Sequence, residues 1–279
     1  MSKLYKYPSV LTIAGSDPGG GAGIQADLKT FAALGCYGMS IITALTAQNT
    51  CGVRAIHTVP ADFVKVQLET ILEDIQPDAI KIGMVHSVDH VNVITEVLQQ
   101  YPDIPIIYDP VMISSSGHQL IVDDAILSII EKLFPLSALI TPNMDEASLL
   151  ANMQVKTVED MHSAGSKIME TRPGALLLKG GHLESEQLTS LLFDASGIVK
   201  TLHTDKVITK NTHGTGCTLS SAIASYVARG LPLSDAVAQA QDYVYDAILQ
   251  AADVLCGKGN GSLNHSHDPQ KMIKQEIGK

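Results

Sequence analysis

The chain has 279 residues, 45% of them hydrophobic and 17% charged, with a net charge of −10, an ordinary globular composition. With no Lys/Arg block, 4% aromatic residues and no Trp, it lacks the basic patch and stacking rings of a nucleic-acid binder. No apolar run approaches the ~18 residues of a membrane span. Cys36, Cys51, Cys217 and Cys256 form no C-x-x-C pair, which argues against a disulfide framework or a zinc knuckle. Residues 1–7 are polar and carry no secretory signal, so a reducing cytoplasm is the expected setting.

Strand and helix signals then alternate. Residues 10–14 are a short apolar run ended by Gly15, residues 22–34 read as a helix, and 36–48 are β-branched and apolar. Pro60 sits where a helix can begin, and Val64, Leu68, Ile71, Leu72 and Ile75 mark one face at helical period. A strand at 79–82 precedes a helix marked by Val91, Ile94, Val97 and Leu98. Residues 104–108 run into Asp109-Pro110, Leu139-Ile140 into Thr141-Pro142-Asn143, and 175–178 into Lys179-Gly180-Gly181. Helices at about 216–229 and 233–252 complete the series.

Fully apolar strands in a βαβα rhythm imply an α/β fold: a mainly parallel central sheet in a three-layer αβα sandwich, with 1–279 as a single domain. In such sheets ligands bind at the carboxyl ends of strands. Gly15, Asp17, Gln48, Lys81, Met84, Asp109, Asn143 and Lys179 fall there, whereas residues with purely structural duties would scatter. The Ser-rich 109–119 and Gly/Asn/His-rich 256–268 segments read as mobile loops able to cover a ligand.

The most informative stretch is His213-Gly214-Thr215-Gly216-Cys217-Thr218, followed by Leu219, Ala222, Ile223, Tyr226 and Val227 at helical spacing. Small residues let the N–H groups of the turn converge, and a helix N-terminus adds partial positive charge, which together suit an anion. Cys217 stands beside it. A plain Gly-rich turn with a half-buried Cys explains the same residues. No G-x-x-x-x-G-K-[ST] is present, which excludes a P-loop. Gly21-Ala-Gly23-Ile-Gln-Ala26 matches G-x-G-x-x-A, but it stands too far from the strand and has no acidic partner near position 46.

Taken together, the run from Ala14 through Gly-Ser-Asp-Pro-Gly-Gly-Gly-Ala-Gly-Ile-Gln-Ala to Asp27 resembles the N-terminal signature of hydroxymethylpyrimidine and hydroxymethylpyrimidine-phosphate kinases of thiamine synthesis, within the ribokinase-like superfamily. The resemblance continues through Thr43-Ala-Leu-Thr-Ala-Gln-Asn-Thr50, Lys81-Ile-Gly-Met84, Asp109-Pro-Val-Met112, Thr141-Pro-Asn143 with Glu146, Lys179-Gly-Gly-His182 and Thr209-Lys-Asn-Thr-His-Gly-Thr-Gly-Cys217.

It implies transfer of the γ-phosphoryl of ATP, with Mg2+, to the hydroxymethyl group of an aminopyrimidine and then to the resulting phosphate ester. Positioning and charge stabilisation dominate such transfers. The implied roles are the N–H groups of Gly214, Thr215 and Gly216 as a charge-stabilising cradle and Cys217 as base, its pKa lowered by the helix N-terminus. Gln48 is implied to select the substrate, since a carboxamide pairs with an exocyclic amine beside a ring nitrogen. Gly15, Ala22, Asp27, Met84 and Val111 match other pyrimidine-pocket positions. Asp109 and Glu146 are implied to face the metal, and Asn143, Lys179, Thr209, Lys210 and Asn211 the nucleotide. Asn143 and Glu146 also suit a capping box. A small β extension near 36–58 and a homodimer joined there are further implications.

Two departures stand out. Ser115 replaces a loop lysine common in relatives, and Gly261-Ser-Leu-Asn-His265 deviates from the usual tail. His265 and His267 make a poor metal pair on their own; they read as a disordered polar tail or as contacts to the nucleotide region. The competing functions are a pyridoxal-type kinase, which lacks the Gln48 pocket, a nicotinamide-dependent oxidoreductase, and a non-enzymatic nucleotide binder, which needs no Cys217.

Overall fold

The computed structural model describes residues 4–112 and 123–277. In chain order its first half contains β1 (Tyr5–Lys6), β2 (Ser9–Ala14), α1 (Gly23–Ala33), β3 (Tyr37–Ile42), β4 (Ala44–Asn49), β5 (Gly52–Thr58), α2 (Ala61–Asp74), β6 (Ala79–Ile82), α3 (Val88–Leu98) and β7 (Ile106–Tyr108). The second half contains α4 (Asp123–Lys132), β8 (Leu139–Ile140), α5 (Met144–Ala151), α6 (Val158–Met169), β9 (Leu176–Leu178), β10 (Gln187–Asp194), β11 (Gly197–Asp205), α7 (Thr215–Ala228), α8 (Leu233–Leu249) and β12 (Gln275–Glu276).

The central sheet has the order β11-β10-β9-β8-β7-β6-β2-β3. The six strands from β9 to β3 are parallel, and β10 and β11 add an antiparallel hairpin at the other edge. Alternation along the strands separates two cores. Leu11, Ile13, Ile80, Ile82 and Leu176 face a layer built by α2 to α6, while Val10, Ala79, Ile107 and Leu177 face α1, α7 and α8. Burial on both faces explains why these strands read as unbroken apolar runs. This is the expected αβα sandwich.

The predicted 36–48 run divides in two. Thr43 sits at the bend, fully buried; its N–H donates to Ala14 O (3.0 Å) and its hydroxyl to Met84 O (2.8 Å). Beyond it the chain leaves the sheet as the β4–β5 hairpin. Strand order runs outward from β2 to β3 in one direction and from β6 to β9 in the other, so the order reverses between β2 and β6. A crevice at such a switch point is where open α/β sheets hold ligands.

Candidate active site

A cleft of about 770 Å3 opens at that edge, lined from the ends of β2, β6, β7 and β9, the β4–β5 hairpin and the start of α7. Asp17, 2% exposed, organises the glycine-rich loop after β2. Its carboxylate accepts from the N–H groups of Gly19 (2.8 Å), Gly21 (3.0 Å) and Ala22 (2.9 Å) and lies 2.9 Å from His213 Nε2. Burial raises its pKa, but His213 and the loop N–H groups outweigh burial and hold the carboxyl below its ordinary range.

α7 begins at the loop singled out in the sequence. Its N-cap, Gly214, has φ +86°, and a Cβ there would stand 1.8 Å from Gly21 O, so only glycine fits. The expectation of three converging N–H groups needs correction, because Thr215 N donates to Thr212 O (3.2 Å). Gly216, by contrast, lies open to the pair behind it: a Cβ there would be 3.3 Å from Lys179 Nζ and 3.4 Å from Asp109 Oδ2.

Cys217 is half-buried and lines the cleft. Its pKa, however, is not lowered. Burial pushes the thiol up to about 11; the Lys81 ammonium opposes this, and Asp27 and Asp109 reinforce it. The backbone N–H of Gly23, at the start of α1, pulls the pKa down slightly. Desolvation of the thiolate outweighs the helix terminus, so in the unliganded protein the sulfur keeps its proton at neutral pH.

Lys81 has a larger part than the sequence suggested. It is fully buried, and its Nζ is 2.9 Å from both Asp27 oxygens. Asp27 does not line the cleft, contrary to its expected place in the substrate pocket. Nor is it the surface residue that its place early in α1 also allowed. At 0% exposure its oxygens are taken by Lys81, Thr12 (2.6 Å) and Ser221 (2.7 Å), which joins α1, β2, β6 and α7 behind Cys217.

On the opposite wall Asp109 Oδ1 accepts from Lys179 Nζ (2.9 Å) and Thr141 Oγ1 (3.0 Å). Asn143 and Glu146 form the foreseen capping box at α5, with Glu146 Oε2 accepting from Asn143 N (2.8 Å) and Asn143 Oδ1 from Glu146 N (2.9 Å). Glu146 is 5% exposed. Burial and Asp109 raise its pKa to about 7 against the pull of Lys179 and two backbone N–H groups.

Across the cleft, Ala44 and Met84 with Ile56 and Val111 form a separate apolar patch. Gly15 brings the backbone so close to Met84 that a Cβ would meet Met84 Cε at 2.6 Å. Ala22 and Gln48 complete this end. The Gln48 carboxamide lies between Thr46 Oγ1 (3.3 Å) and His213 Nε2 (3.2 Å). Sequence reasoning did not assign His213 a role, because only the fold brings it to Asp17 and Gln48. Ser115 and residues 113–119 of the expected covering loop lie outside the described residues.

Comparison with known proteins decides the family. The model of the family described as phosphomethylpyrimidine kinase matches residues 17–264. The chain belongs to the phosphomethylpyrimidine kinase family. It is 45% identical over 258 residues to the hydroxymethylpyrimidine/phosphomethylpyrimidine kinase of Rhizobium meliloti, covering 92% of this chain and 96% of that protein. The Escherichia coli kinase of the same name is 43% identical over 263 residues, covering 94% and 98%. Among solved structures, a phosphomethylpyrimidine kinase from Clostridium difficile is 44% identical with a TM-score of 0.76, covering 86% of this chain and 99% of that one. A Bacillus subtilis pyridoxal kinase in complex with ADP is 33% identical with a TM-score of 0.86, covering 94% and 98%. Membership in this kinase family makes the protein an ATP-dependent phosphotransferase.

Within that family frame, the expected nucleotide loop divides. Thr209 lines the cleft, its hydroxyl donating to Ala252 O (3.1 Å). Lys210 is exposed and does not line the cleft. Asn211 is buried, and its Nδ2 donates to the carbonyls of Ala251 (2.5 Å) and Val254 (2.7 Å), so its amide serves the end of α8. The tail is also not a loose polar segment. His265 is 4% exposed, 3.1 Å from Thr218 Oγ1, with its carbonyl accepting from Tyr243; burial lowers its pKa to about 4.

Proposed function

We propose that the protein transfers the γ-phosphoryl group of ATP to the hydroxymethyl group of 4-amino-5-hydroxymethyl-2-methylpyrimidine, and then to that monophosphate, in thiamine biosynthesis. The observation that carries this reading is the Gln48 carboxamide lining the same cleft as the apolar side chains of Met84 and Val111. An apolar wall suits the methylated ring, and one carboxamide offers both the acceptor for an amine and the donor for a ring nitrogen. Overall shape does not separate this substrate from pyridoxal, since the pyridoxal kinase has the higher TM-score. A polar pairing at Gln48 would.

Two substrates meeting in one cleft remove most of the entropic barrier. Lys179 and the positive end of α7, with the Gly216 N–H for which no acceptor is found among the described residues, are placed to meet charge developing on the transferred group. Cys217 is the group next to the substrate hydroxyl. The transition state of phosphoryl transfer is loose, so the hydroxyl proton leaves late. A sulfur pushed up to about 11 is a strong acceptor once ionised, and Lys81 lowers the cost of ionising it.

The donor set fits Mg2+. Among the described residues no donor reaches Asp109 Oδ2, and Glu146 adds a second carboxylate; one or two carboxylates completed by water and phosphate oxygens suit this ion. When bound it would supply charge neutralisation at the phosphates. Asn143 and Thr209 complete the nucleotide side.

ATP consumption measured with the aminopyrimidine alcohol, pyridoxal and ribose tests the reading. Turnover with pyridoxal alone, or with none of the three, would overturn it. We also read 1–279 as one domain that assembles as a homodimer through residues 36–58; sedimentation as a monomer at micromolar concentration would refute the dimer.

A further inference from the structure

We infer that His213, held by Asp17, sets the polarity of the Gln48 carboxamide and so decides which way round the aminopyrimidine lies. This rests on the function proposed above.

The two ends of a carboxamide are nearly isosteric, so hydrogen bonding decides which end is oxygen. A carboxylate only accepts, so His213 Nε2, 2.9 Å from Asp17 Oδ2, carries its hydrogen there. At the other end, the single hydroxyl proton of Thr46 goes to Ser16 O at 2.9 Å. With that proton spent, Thr46 Oγ1 has only lone pairs to offer the carboxamide end 3.3 Å away, which is Oε1 as the group is placed. An amide oxygen toward Thr46 would set acceptor against acceptor, and an NH2 toward His213 donor against donor. In the structure the carboxamide oxygen faces Thr46 and the NH2 faces His213; turning the group over puts NH2 on the Thr46 side and oxygen on the His213 side, where it shares the single Nε2–H with Asp17. Each end keeps one further site, an N–H and an oxygen lone pair, for a ligand.

The substrate's chemistry turns this polarity into a direction. Its exocyclic amine needs the oxygen, on the His213 side, and its ring nitrogen needs the N–H, on the Thr46 side. The hydroxymethyl group is attached to the ring carbon next to the amine, on the side away from that ring nitrogen. It therefore lies on the His213 side of the carboxamide, the side on which the chain continues through Gly214 to Cys217, and these residues line the same cleft. A reversed carboxamide would send it the opposite way. His213 and Asp17 are thus positioning residues.

The test compares kcat/KM for the 4-amino alcohol and its 4-oxo analogue, in which C4=O accepts and the ring N–H donates. In the wild type the amino compound should lead by at least about 10²-fold, because the analogue reverses both hydrogen bonds. His213→Leu frees the carboxamide to turn and should reduce that ratio at least tenfold, with KM for ATP unchanged. His213→Gln keeps an N–H donor of similar reach and should restore most of it. A merely structural role for His213 would lower both substrates alike. If His213→Leu does not fold, Thr46→Val removes the anchor at the other end and carries the same expectation. An unchanged ratio in a folded variant, with normal wild-type turnover, overturns this inference alone; wild-type protein inert toward the amino alcohol overturns the function reading and this one with it.

Discussion

Replacing Lys81 with Met tests the buried charge pair beneath the reactive sulfur. The substitution keeps most of the side chain's volume and removes its cation. Asp27 is left at 0% exposure with only the Thr12 and Ser221 hydroxyls, at 2.6 and 2.7 Å. Breaking one side of a buried pair costs about 3–5 kcal/mol. The two remaining O–H donors set the expectation at the lower end, about 3 kcal/mol, or roughly 6 °C in Tm for a chain of this length. Urea unfolding at pH 7 measures the loss. Lys81→Met combined with Asp27→Asn should recover at least half of it, because a neutral carboxamide accepts from one hydroxyl and donates to the other. The same cation opposes burial at Cys217. Iodoacetamide labelling of Cys217 at pH 9 should therefore slow in Lys81→Met relative to the exposed Cys51 and Cys256. A loss below about 1 kcal/mol, or a double variant no more stable than the single one, would refute this account of the pair.

Cys217→Ser and Cys217→Ala should each lose at least about 10²-fold in kcat with KM changed little, and the rise of wild-type kcat between pH 7 and 10 should be absent in both; near-normal kcat in both would remove the sulfur from the proton transfer. Glu146 has its pKa raised from 4.5 to about 7, so the folded state holds a proton that the unfolded state releases. That contribution makes stability fall as pH rises from about 4.5 and level off above about 7, by about 3 kcal/mol at most. Denaturation across this range should show the decline in the wild type and not in Glu146→Gln. Gly214→Ala places a Cβ 1.8 Å from Gly21 O at a φ of +86° and should lower stability by more than about 2 kcal/mol, with KM for ATP rising; a wild-type Tm would contradict the reading of that contact.

The sheet was legible because strands buried on both faces are apolar throughout, and polar residues at their ends mark the cleft. Asp109, Asn143 and Lys179 line it as expected. The capping box was also readable, since four consecutive residues, 143–146, define it. Asp27 was misplaced because a motif gives a position in the chain and not the face to which a carboxylate turns; its partner Lys81 is 54 residues away. Asn211 failed for the same reason, its amide being drawn to carbonyls at the end of α8. The sulfur's pKa was misjudged because helix termini are visible in sequence and burial is not. The split at Thr43 carries no Gly or Pro, and its cause is two hydrogen bonds to distant backbone.

The closeness of Gly214 to Gly21 has a mechanical consequence. The glycine-rich loop after β2 and the turn that opens α7, proposed above to hold the precursor and the phosphate, touch backbone to backbone, with no side chain between them to yield. Stiffening one therefore stiffens the other, and under the proposed function whichever reactant arrives first would prepare the seat of the second.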